Sequence, residues 1–248
     1  MRCFNSSQTR NAMAALTSLQ ITTLTFFRYP TLAKKLWAFG MMQRGHALLQ
    51  DIKGLQCYKL LGTGKDEGFN PFPNWSVYGL LQVWDREEDA LRFFQDGPLM
   101  ELYRQKAAES WTLFLKNIMS RGNWSGDNPF EPHSALDPDN PRLAVLTRAT
   151  IRLSKLWAFW RFVPTSHRPL FNNPGLLFSK GVGEVPIRQN ATFSIWKDAE
   201  ALQAFAYKSP EHLQAMRRTR TEGWYQEELF ARFQPYRSLG SWTGQTVF

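Results

Sequence analysis

A histidine in the last quarter of the chain is, by type and position, the side chain best suited to chemistry. His212 follows Ser209 and Pro210, residues favoured at the N-cap and first position of a helix. Three later residues share its helical face: Ala215, Met216 and Thr219. A histidine on such a stripe either forms a hydrogen bond within the core or binds a metal, for which imidazole is the commonest ligand. The spacing alone leaves both interpretations open.

Three arginines follow His212 on the same predicted helix, at positions 217, 218 and 220. One interpretation is a solvated helix face. The other is that they pair with the carboxylates of a bound group, such as the propionates of a haem, because guanidinium and carboxylate form paired, charge-assisted hydrogen bonds.

Other chemical motifs are missing from the sequence. It contains neither H-E-x-x-H nor G-x-S-x-G. The glycines at 62, 64 and 68 lack dinucleotide-binding spacing and predict a tight turn. Glu227 and Glu228 are adjacent, so on a helix they diverge, and we expect both to be solvated. The strands lack the basic-glycine-aromatic signature of RNA-binding sheets, which argues against nucleic acid as a partner despite a net charge of +9.

An internal repeat organises the elements that must position these residues. Three pairs of segments recur in the same order, about 112 to 120 residues apart: Leu36-Trp37-Ala38-Phe39 with Leu156-Trp157-Ala158-Phe159, Trp84-Asp85 with Trp196-Lys197-Asp198, and Gly122-Asn123-Trp124-Ser125-Gly126 with Gly240-Ser241-Trp242-Thr243-Gly244. Such spacing predicts a duplicated structural unit.

Each copy predicts a strand, a helix, two paired strands and a second helix, which is a ferredoxin-like plan. In the first copy we predict strands at 23–29, 55–61 and 76–84, and a helix at 32–49. Asp85 and Glu88 suggest a capping box that opens a helical region to about 115. In the second copy we predict strands at 145–152, 176–185 and 191–196, helices at 154–163, 198–207 and from 209 to about 223, and either a helical turn or a last strand at 225–233.

The predicted architecture is an α+β fold in which tandem ferredoxin-like halves pack as an α+β barrel with helices outside. The predicted divisions are a flexible extension (1–20), the first half (21–126), a linker rich in Pro, Asp and Asn (127–141), and the second half (142–248), which carries the candidate site.

Composition limits the location and the class of ligand. No apolar run reaches the roughly 18 residues of a membrane-spanning helix, and the N-terminus lacks a secretory signal, so we expect a cytoplasmic protein. Two cysteines without a C-x-x-C pair argue against a zinc site or a disulfide framework. Aromatic residues make up 15% of the chain, with ten tryptophans, which indicates a bulky core, a wide apolar cavity or a membrane-facing rim.

An ordered set of segments resembles the spheroidene monooxygenases, carotenoid oxygenases that introduce oxygen at C2 of acyclic carotenoids. The likeness runs from about residue 24 to 242. The segments that carry it are 26–28, 58–60, 68–73, 121–126, Leu146-Thr147-Arg148-Ala149-Thr150-Ile151, 180–186, 192–196 and Gly223-Trp224-Tyr225-Gln226-Glu227-Glu228-Leu229-Phe230-Ala231-Arg232-Phe233.

This resemblance implies a haem b-dependent monooxygenase on the barrel plan of chlorite dismutases and dye-decolourising peroxidases. In that group a helix of the C-terminal half carries the proximal histidine. The matching residue is His212, which would bind the iron, and we expect Met216, Arg217 and Arg220 to contact the cofactor. A polar distal group would assist oxygen activation, for which Arg148 and Arg188 are the catalytic candidates; Lys180 and Glu184 are weaker ones.

The resemblance also implies an acyclic carotenoid substrate, O2, an external electron donor such as ferredoxin, and a possible homo-oligomer. Because carotenoids are insoluble in water, peripheral contact with a membrane is expected, and the basic, aromatic segment 155–162 could provide it. Its copy at 34–39 is similar, which argues instead for core packing of both segments. The alternative function is a non-catalytic or cofactor-free α+β barrel that binds an apolar ligand.

Overall fold

A computed structural model describes residues 19–65, 72–166, 173–208, 217–219 and 221–244. Its strands are β1 (Ile21–Arg28), β2 (Leu55–Gly64), β3 (Pro73–Trp84), β4 (Glu109–Gly122), β5 (Leu143–Ile151), β6 (Leu176–Val185), β7 (Gln189–Trp196) and β8 (Tyr225–Gly240). Its helices are α1 (Leu32–Leu48), α2 (Glu87–Asp96), α3 (Pro98–Lys106), α4 (Leu156–Ser166), preceded by a 3-10 turn (Leu153–Lys155), and α5 (Ala199–Lys208).

The eight strands close into one antiparallel barrel in the order β1-β3-β2-β6-β7-β5-β8-β4. The first half supplies β4-β1-β3-β2 and the second supplies β8-β5-β7-β6 in the corresponding order. Two seams join them: β4 and β8 pair along most of their length, whereas β2 and β6 meet at only two residue pairs, Gly62 with Gly183 and Thr63 with Val182. The predicted fold of two ferredoxin-like halves packed as an α+β barrel is confirmed.

The largest difference from the sequence prediction lies between Asp85 and residue 122. The predicted single helical region is wrong: two short helices occupy it, followed by β4. Pro98 begins α3, and the following apolar run from Trp111 to Leu115 is fully buried between β1 and β8. The predicted capping box is also wrong, because Arg86 occupies the N-cap and the Asp85 carboxylate accepts a hydrogen bond from Gln56 instead.

In the second half the sequence prediction matches the structure more closely. The Asp198 carboxylate caps α5 by accepting a hydrogen bond from the amide of Ala201 (2.8 Å), as predicted. Of the two interpretations of residues 225–233, the last strand is the one observed. The helix predicted to begin at Ser209 falls mostly outside the described residues.

Strand alternation divides the side chains between the barrel interior and a helix-facing surface. The interior is a continuous apolar cluster built by alternate residues, among them Leu24, Phe26, Leu81, Phe193 and Phe233. Outside the barrel, α1, α2 and α3 cover the first-half sheet. On the second half, α5 packs on Val145 and Trp196, while α4 packs on Ile151 and Trp224.

Candidate functional site

The two halves can be compared residue by residue on their helix-facing surfaces. Trp84 ends β3 and pairs with Ile21, the first residue of β1; in the same way Trp196 ends β7 and pairs with Leu143, the first residue of β5. Counting four residues from these anchors places Thr25 in correspondence with Thr147.

The first-half surface is filled with large side chains that are less than 10% exposed, in contact with the covering helices. The corresponding second-half positions hold small residues. By register, the pairs of first-half and second-half residues are Leu60 and Gly181, Leu80 and Thr192, Tyr58 and Ser179, Tyr78 and Asn190, and Phe27 and Ala149. We call the five second-half residues, together with Thr147, the small-residue surface.

The small-residue surface is not packed like an ordinary sheet face. Thr147 lies in the middle of β5, paired on both sides, and is nevertheless exposed. Within the described part of the chain, the buried hydroxyls of Ser179 and Thr192 have no hydrogen-bond partner, and neither has Nε of the nearby Arg232. Buried polar atoms in native proteins are nearly always paired, so these atoms could accept or donate a further hydrogen bond, as could those of Tyr29 and Gln82 in the first half.

The predicted distal residue Arg148 faces the other side of the sheet. It is 2% exposed and points into the barrel interior, where it binds the carboxylate of Glu227 and lies 3.9 Å from that of Glu184. Arg148 is therefore separated from the small-residue surface by the sheet itself. In this position it forms part of the barrel interior. The hydroxyls of the small-residue surface belong to Ser179, Thr192 and Thr147, and the Asn190 amide on the same surface donates to the carbonyl of Ile187 (2.9 Å).

Arg148 belongs to a buried ion cluster that closes one end of the barrel. Lys59 Nζ lies 3.5 Å from Glu184 Oε1, and the indole N–H of Trp124 donates to Glu184 Oε2 (2.5 Å). Burial lowers the pKa of Lys59, although Glu184 opposes the shift. The charges of the two cations and the two carboxylates cancel, which offsets part of the free-energy cost of burying them.

Glu227 is held in this cluster by a turn. The amides of Ser125 and Gly126 donate to its carboxylate (3.0 and 2.7 Å), and both turn residues have positive φ, 64° and 92°. Burial raises the pKa of Glu227, but these amides and Arg148 outweigh it and leave the pKa below its ordinary value. The expectation that Glu227 is solvated is wrong; the adjacent Glu228 is exposed, as expected.

The remaining predicted residues are placed as follows. Arg188 lies in the β6–β7 turn, half-buried, where its guanidinium donates to Gln226 Oε1 (3.3 Å). Arg217 is exposed. His212, Met216 and Arg220 lie outside the described residues, so their cofactor contacts stay predictions. Across the described ranges, no three His, Cys, Asp or Glu side chains converge as a metal site.

Sequence reasoning missed Lys59 and Trp124, and for Trp124 a signal was present. It is the tryptophan of the first repeated turn, and the second copy, Trp242, closes the opposite end of the barrel. There the Gly244 amide donates to Glu109 (2.9 Å) as the Gly126 amide does to Glu227. The repeat therefore encodes a carboxylate-binding turn at each end.

Comparison with known proteins agrees with this architecture. No profile of a known protein family matches the chain. Curated proteins do match. Among them, the spheroidene monooxygenase of Rhodobacter capsulatus is 38% identical over 229 residues (92% of this chain, 95% of that protein), and that of Cereibacter sphaeroides is 37% identical over 228 residues (92% and 70%).

Among solved structures, an aldoxime dehydratase superposes with a TM-score of 0.57 at 12% identity, covering 90% of this chain and 84% of that one, which shows a shared fold. The curated relatives are similar over nearly the whole chain at more than 30% identity. The chain belongs to the spheroidene monooxygenase family.

Proposed function

We propose that this protein is a haem-dependent monooxygenase that inserts oxygen from O2 into an acyclic carotenoid, at a site on the small-residue surface. The substrate part of the proposal rests on the family relationship, since the names of the relatives specify a spheroidene monooxygenase. The haem part rests on one observation. Five large side chains of the first-half sheet correspond to small ones in the second half, on the same surface as the exposed Thr147.

A flat, apolar group fits the small-residue surface. Gly181 and Ala149 present almost no side chain there, so a ring system could approach the sheet, and Phe230, paired with Thr147, offers an aromatic contact at one side. The guanidinium of Arg232 lies 5.4 Å from the Phe230 ring and could meet a carboxylate of the group. His212 follows α5 in sequence and is the residue proposed to hold the iron.

When bound, the haem would supply O2 activation with electrons from an external donor. The protein would position and protect the reaction. We propose that the hydroxyls of Thr192, Ser179 and Thr147 would lie against the cofactor and could donate hydrogen bonds on that side, because the sheet directs these three hydroxyls to this surface. This assignment replaces Arg148 and Arg188 as the distal groups.

The absorption spectrum of the purified protein tests the haem proposal. Expression with added haem should give a Soret band that His212→Ala weakens or shifts, while the control His133→Ala, in the connection between the halves, leaves it unchanged. A colourless wild-type protein that still oxygenates its substrate would instead support the cofactor-free alternative. A colourless protein that only retains a carotenoid would support the non-catalytic one.

Substituting larger side chains on the small-residue surface tests whether the haem binds there. Gly181→Leu combined with Thr192→Leu restores the first-half residues, and we expect it to abolish the Soret band and carotenoid oxygenation while the far-ultraviolet circular dichroism is kept. Thr192→Val is the matched control, since it nearly keeps the volume and removes the hydroxyl; it should retain haem and lose turnover. Haem binding that survives the double leucine variant would place the cofactor elsewhere. Products are identified by mass after coexpression with an acyclic carotenoid pathway.

A further inference from the structure

A group of exposed apolar side chains surrounds the start of α4. Leu153 is 65% exposed and Trp157 73%; nearby, Val185 at the end of β6 is 46% exposed and Ile187 in the following turn is 45% exposed. We call these four residues the α4 face. A clustered set of large apolar side chains in water is unfavourable and commonly marks a surface that contacts a partner.

The α4 face is held in place by specific contacts. The indole N–H of Trp160 donates to the carbonyl of Ile187 (2.9 Å), which ties the turn to the helix. Leu156, Trp157, Trp160, Arg161 and Ile187 together line a shallow groove open to solvent. On its inner side the helix is anchored by Phe159, which is 2% exposed and meets Trp224 edge-on.

Ile187 adopts a backbone conformation that its side chain disfavours. Its φ is +70°, in the left-handed region where a β-branched residue is a rare outlier and glycine or asparagine is preferred. Asparagine would relieve this strain at a solvent-exposed turn. An apolar side chain kept in this position, pointing outward beside Trp157, is therefore best explained by a contact that the isolated chain does not satisfy.

The charged side chains of α4, of the segment before it and of the β6–β7 turn are positive. The nearby carboxylate of Glu222 accepts a hydrogen bond from the indole of Trp224 (2.8 Å), which packs on Phe159 of α4. Arg152 and Arg161 are exposed, and Lys155 and Arg188 are partly exposed. The sequence contains no Asp or Glu between Asp139 and Glu184, and the Glu184 carboxylate is engaged inside the barrel with Trp124 and Lys59. Basic residues around exposed tryptophan and aliphatic side chains match the chemistry of an anionic lipid headgroup region above acyl chains.

We propose that the α4 face docks on the surface of an anionic phospholipid bilayer, with Trp157 and Ile187 entering the acyl boundary and the surrounding cations facing the headgroups. None of the described helices is long and apolar enough to cross a bilayer, so the contact would be peripheral. The proposal concerns binding alone and does not depend on haem or on turnover.

Co-sedimentation of the full chain with phosphatidylcholine vesicles, with and without phosphatidylglycerol, tests the proposal. Wild-type protein should bind the anionic vesicles, and binding should weaken with salt. Trp157→Ser should reduce the partition coefficient by about tenfold or more, as expected for one large apolar side chain that is no longer buried. Trp157→Phe should restore most of it. Arg161→Gln should reduce binding about fivefold at low salt.

Two further variants separate docking from folding. Ile187→Asn should weaken vesicle binding while leaving the melting temperature equal or higher, because it relieves the strained turn. Phe39→Ser removes an aromatic side chain that is 53% exposed on α1, the copy of α4, and should leave vesicle binding unchanged.

Absence of wild-type binding, or equal losses in Phe39→Ser and Trp157→Ser, would overturn the proposal. So would a wild-type dimer that Trp157→Ser converts to a monomer without any effect on vesicles, since the α4 face would then contact a second copy of the chain.

Discussion

The same four residues, Leu-Trp-Ala-Phe, lie in the first helix of each half, one turn into α1 and at the start of α4, but bury different side chains. In α1, Trp37 packs inward, 5.7 Å from Tyr103, and Phe39 is 53% exposed. In α4 the tryptophan, Trp157, is 73% exposed and Phe159 is buried. A shared sequence therefore does not give a shared core position, and the argument that likeness of the two segments implies core packing is wrong for Trp157.

The difference has a physical origin in what lies beneath and before each helix. The α1 helix begins directly after Thr31, whose side chain caps it, and covers a sheet of large residues such as Leu60 and Tyr58. A 3-10 turn precedes α4, and the helix packs at the strand ends on Ile151 and Trp224. Among the described residues, none covers Thr147, which is exposed at the centre of the second-half sheet. We propose that this difference reflects a ligand site on the second half.

The two ends of the barrel show the same contrast on a smaller scale. Each is closed by a repeated tryptophan turn, a carboxylate and an arginine near the indole ring: Arg148 lies 5.7 Å from Trp124, and Arg28 lies 4.6 Å from Trp242. The Arg148 side chain is 2% exposed and that of Arg28 is 37% exposed. The ion pair at the first end is desolvated, and the one at the second end is screened by water.

The largest effect on stability should come from removing the buried arginine at the first end of the barrel. Arg148→Ala leaves Glu227 without its cation and Glu184 with Lys59 alone, and should lower the free energy of unfolding by roughly 3–5 kcal/mol. Arg28→Ala removes a partly exposed pair with Glu109 and should cost no more than about 1 kcal/mol. Urea unfolding followed by circular dichroism measures both. Equal losses would mean that the two ends are energetically alike and that burial does not distinguish them.

A smaller difference is expected between corresponding positions on the two sheets. Leu60→Ala opens a cavity under α1 and should lower the free energy of unfolding by roughly 2–4 kcal/mol. Gly181→Ala adds only a methyl group at the matching position, where β6 carries no side chain, and should change it by less than about 1 kcal/mol. Similar costs at both positions, measured by the same unfolding experiment, would show that the small-residue surface is as tightly packed as its first-half counterpart.

Much of the fold could be predicted from the sequence because the information is local or repeated. Short β-rich or apolar runs predicted six of the eight described strands, and the repeated segments predicted the two halves. The β4 strand was missed because its N-terminal half, Glu109 to Leu115, continues a region that begins with two helices, and only pairing with β1 and β8 makes it a strand.

The candidate site was less predictable. Which side of β5 Arg148 occupies depends on register, and a shift of one residue reverses it. The role of Glu227 depends on a turn about 100 residues away, at Ser125 and Gly126. The small-residue surface could not be predicted because its residues are distinguished only by their small side chains. The difference is recognised when corresponding strand positions, such as Leu60 and Gly181, are aligned by their strand pairing.

The smallest predicted effect is on the pH dependence of stability, and it distinguishes the two carboxylates bound by the repeated turns, Glu227 and Glu109. The amides of Ser125 and Gly126, together with Arg148, hold the pKa of Glu227 below its ordinary value, although burial acts in the opposite direction. The folded protein therefore binds fewer protons than the unfolded chain at pH values below about 4.3, the ordinary pKa of glutamate. The stabilisation from Glu227 is complete above that value and is lost as the pH falls through the lower, folded-state pKa.

Unfolding free energies of wild-type protein and Glu227→Gln, measured from neutral pH down to acid, give this contribution as a difference. Burial lowers the pKa of His46 and of His133, so both affect stability as the pH falls below about 6.5, but they are present in both proteins and cancel. The difference should be constant above about pH 5 and shrink below it.

Glu109→Gln should give a curve of the same shape, because the amides of Gly244 and Thr243 outweigh burial and lower the pKa of Glu109 as well. Its amplitude should be smaller, because the Arg28 pair is more exposed. If the Glu227 difference were independent of pH, its carboxylate would be held by packing and not by its charge, and the turn at Ser125 and Gly126 would not be an anion-binding device.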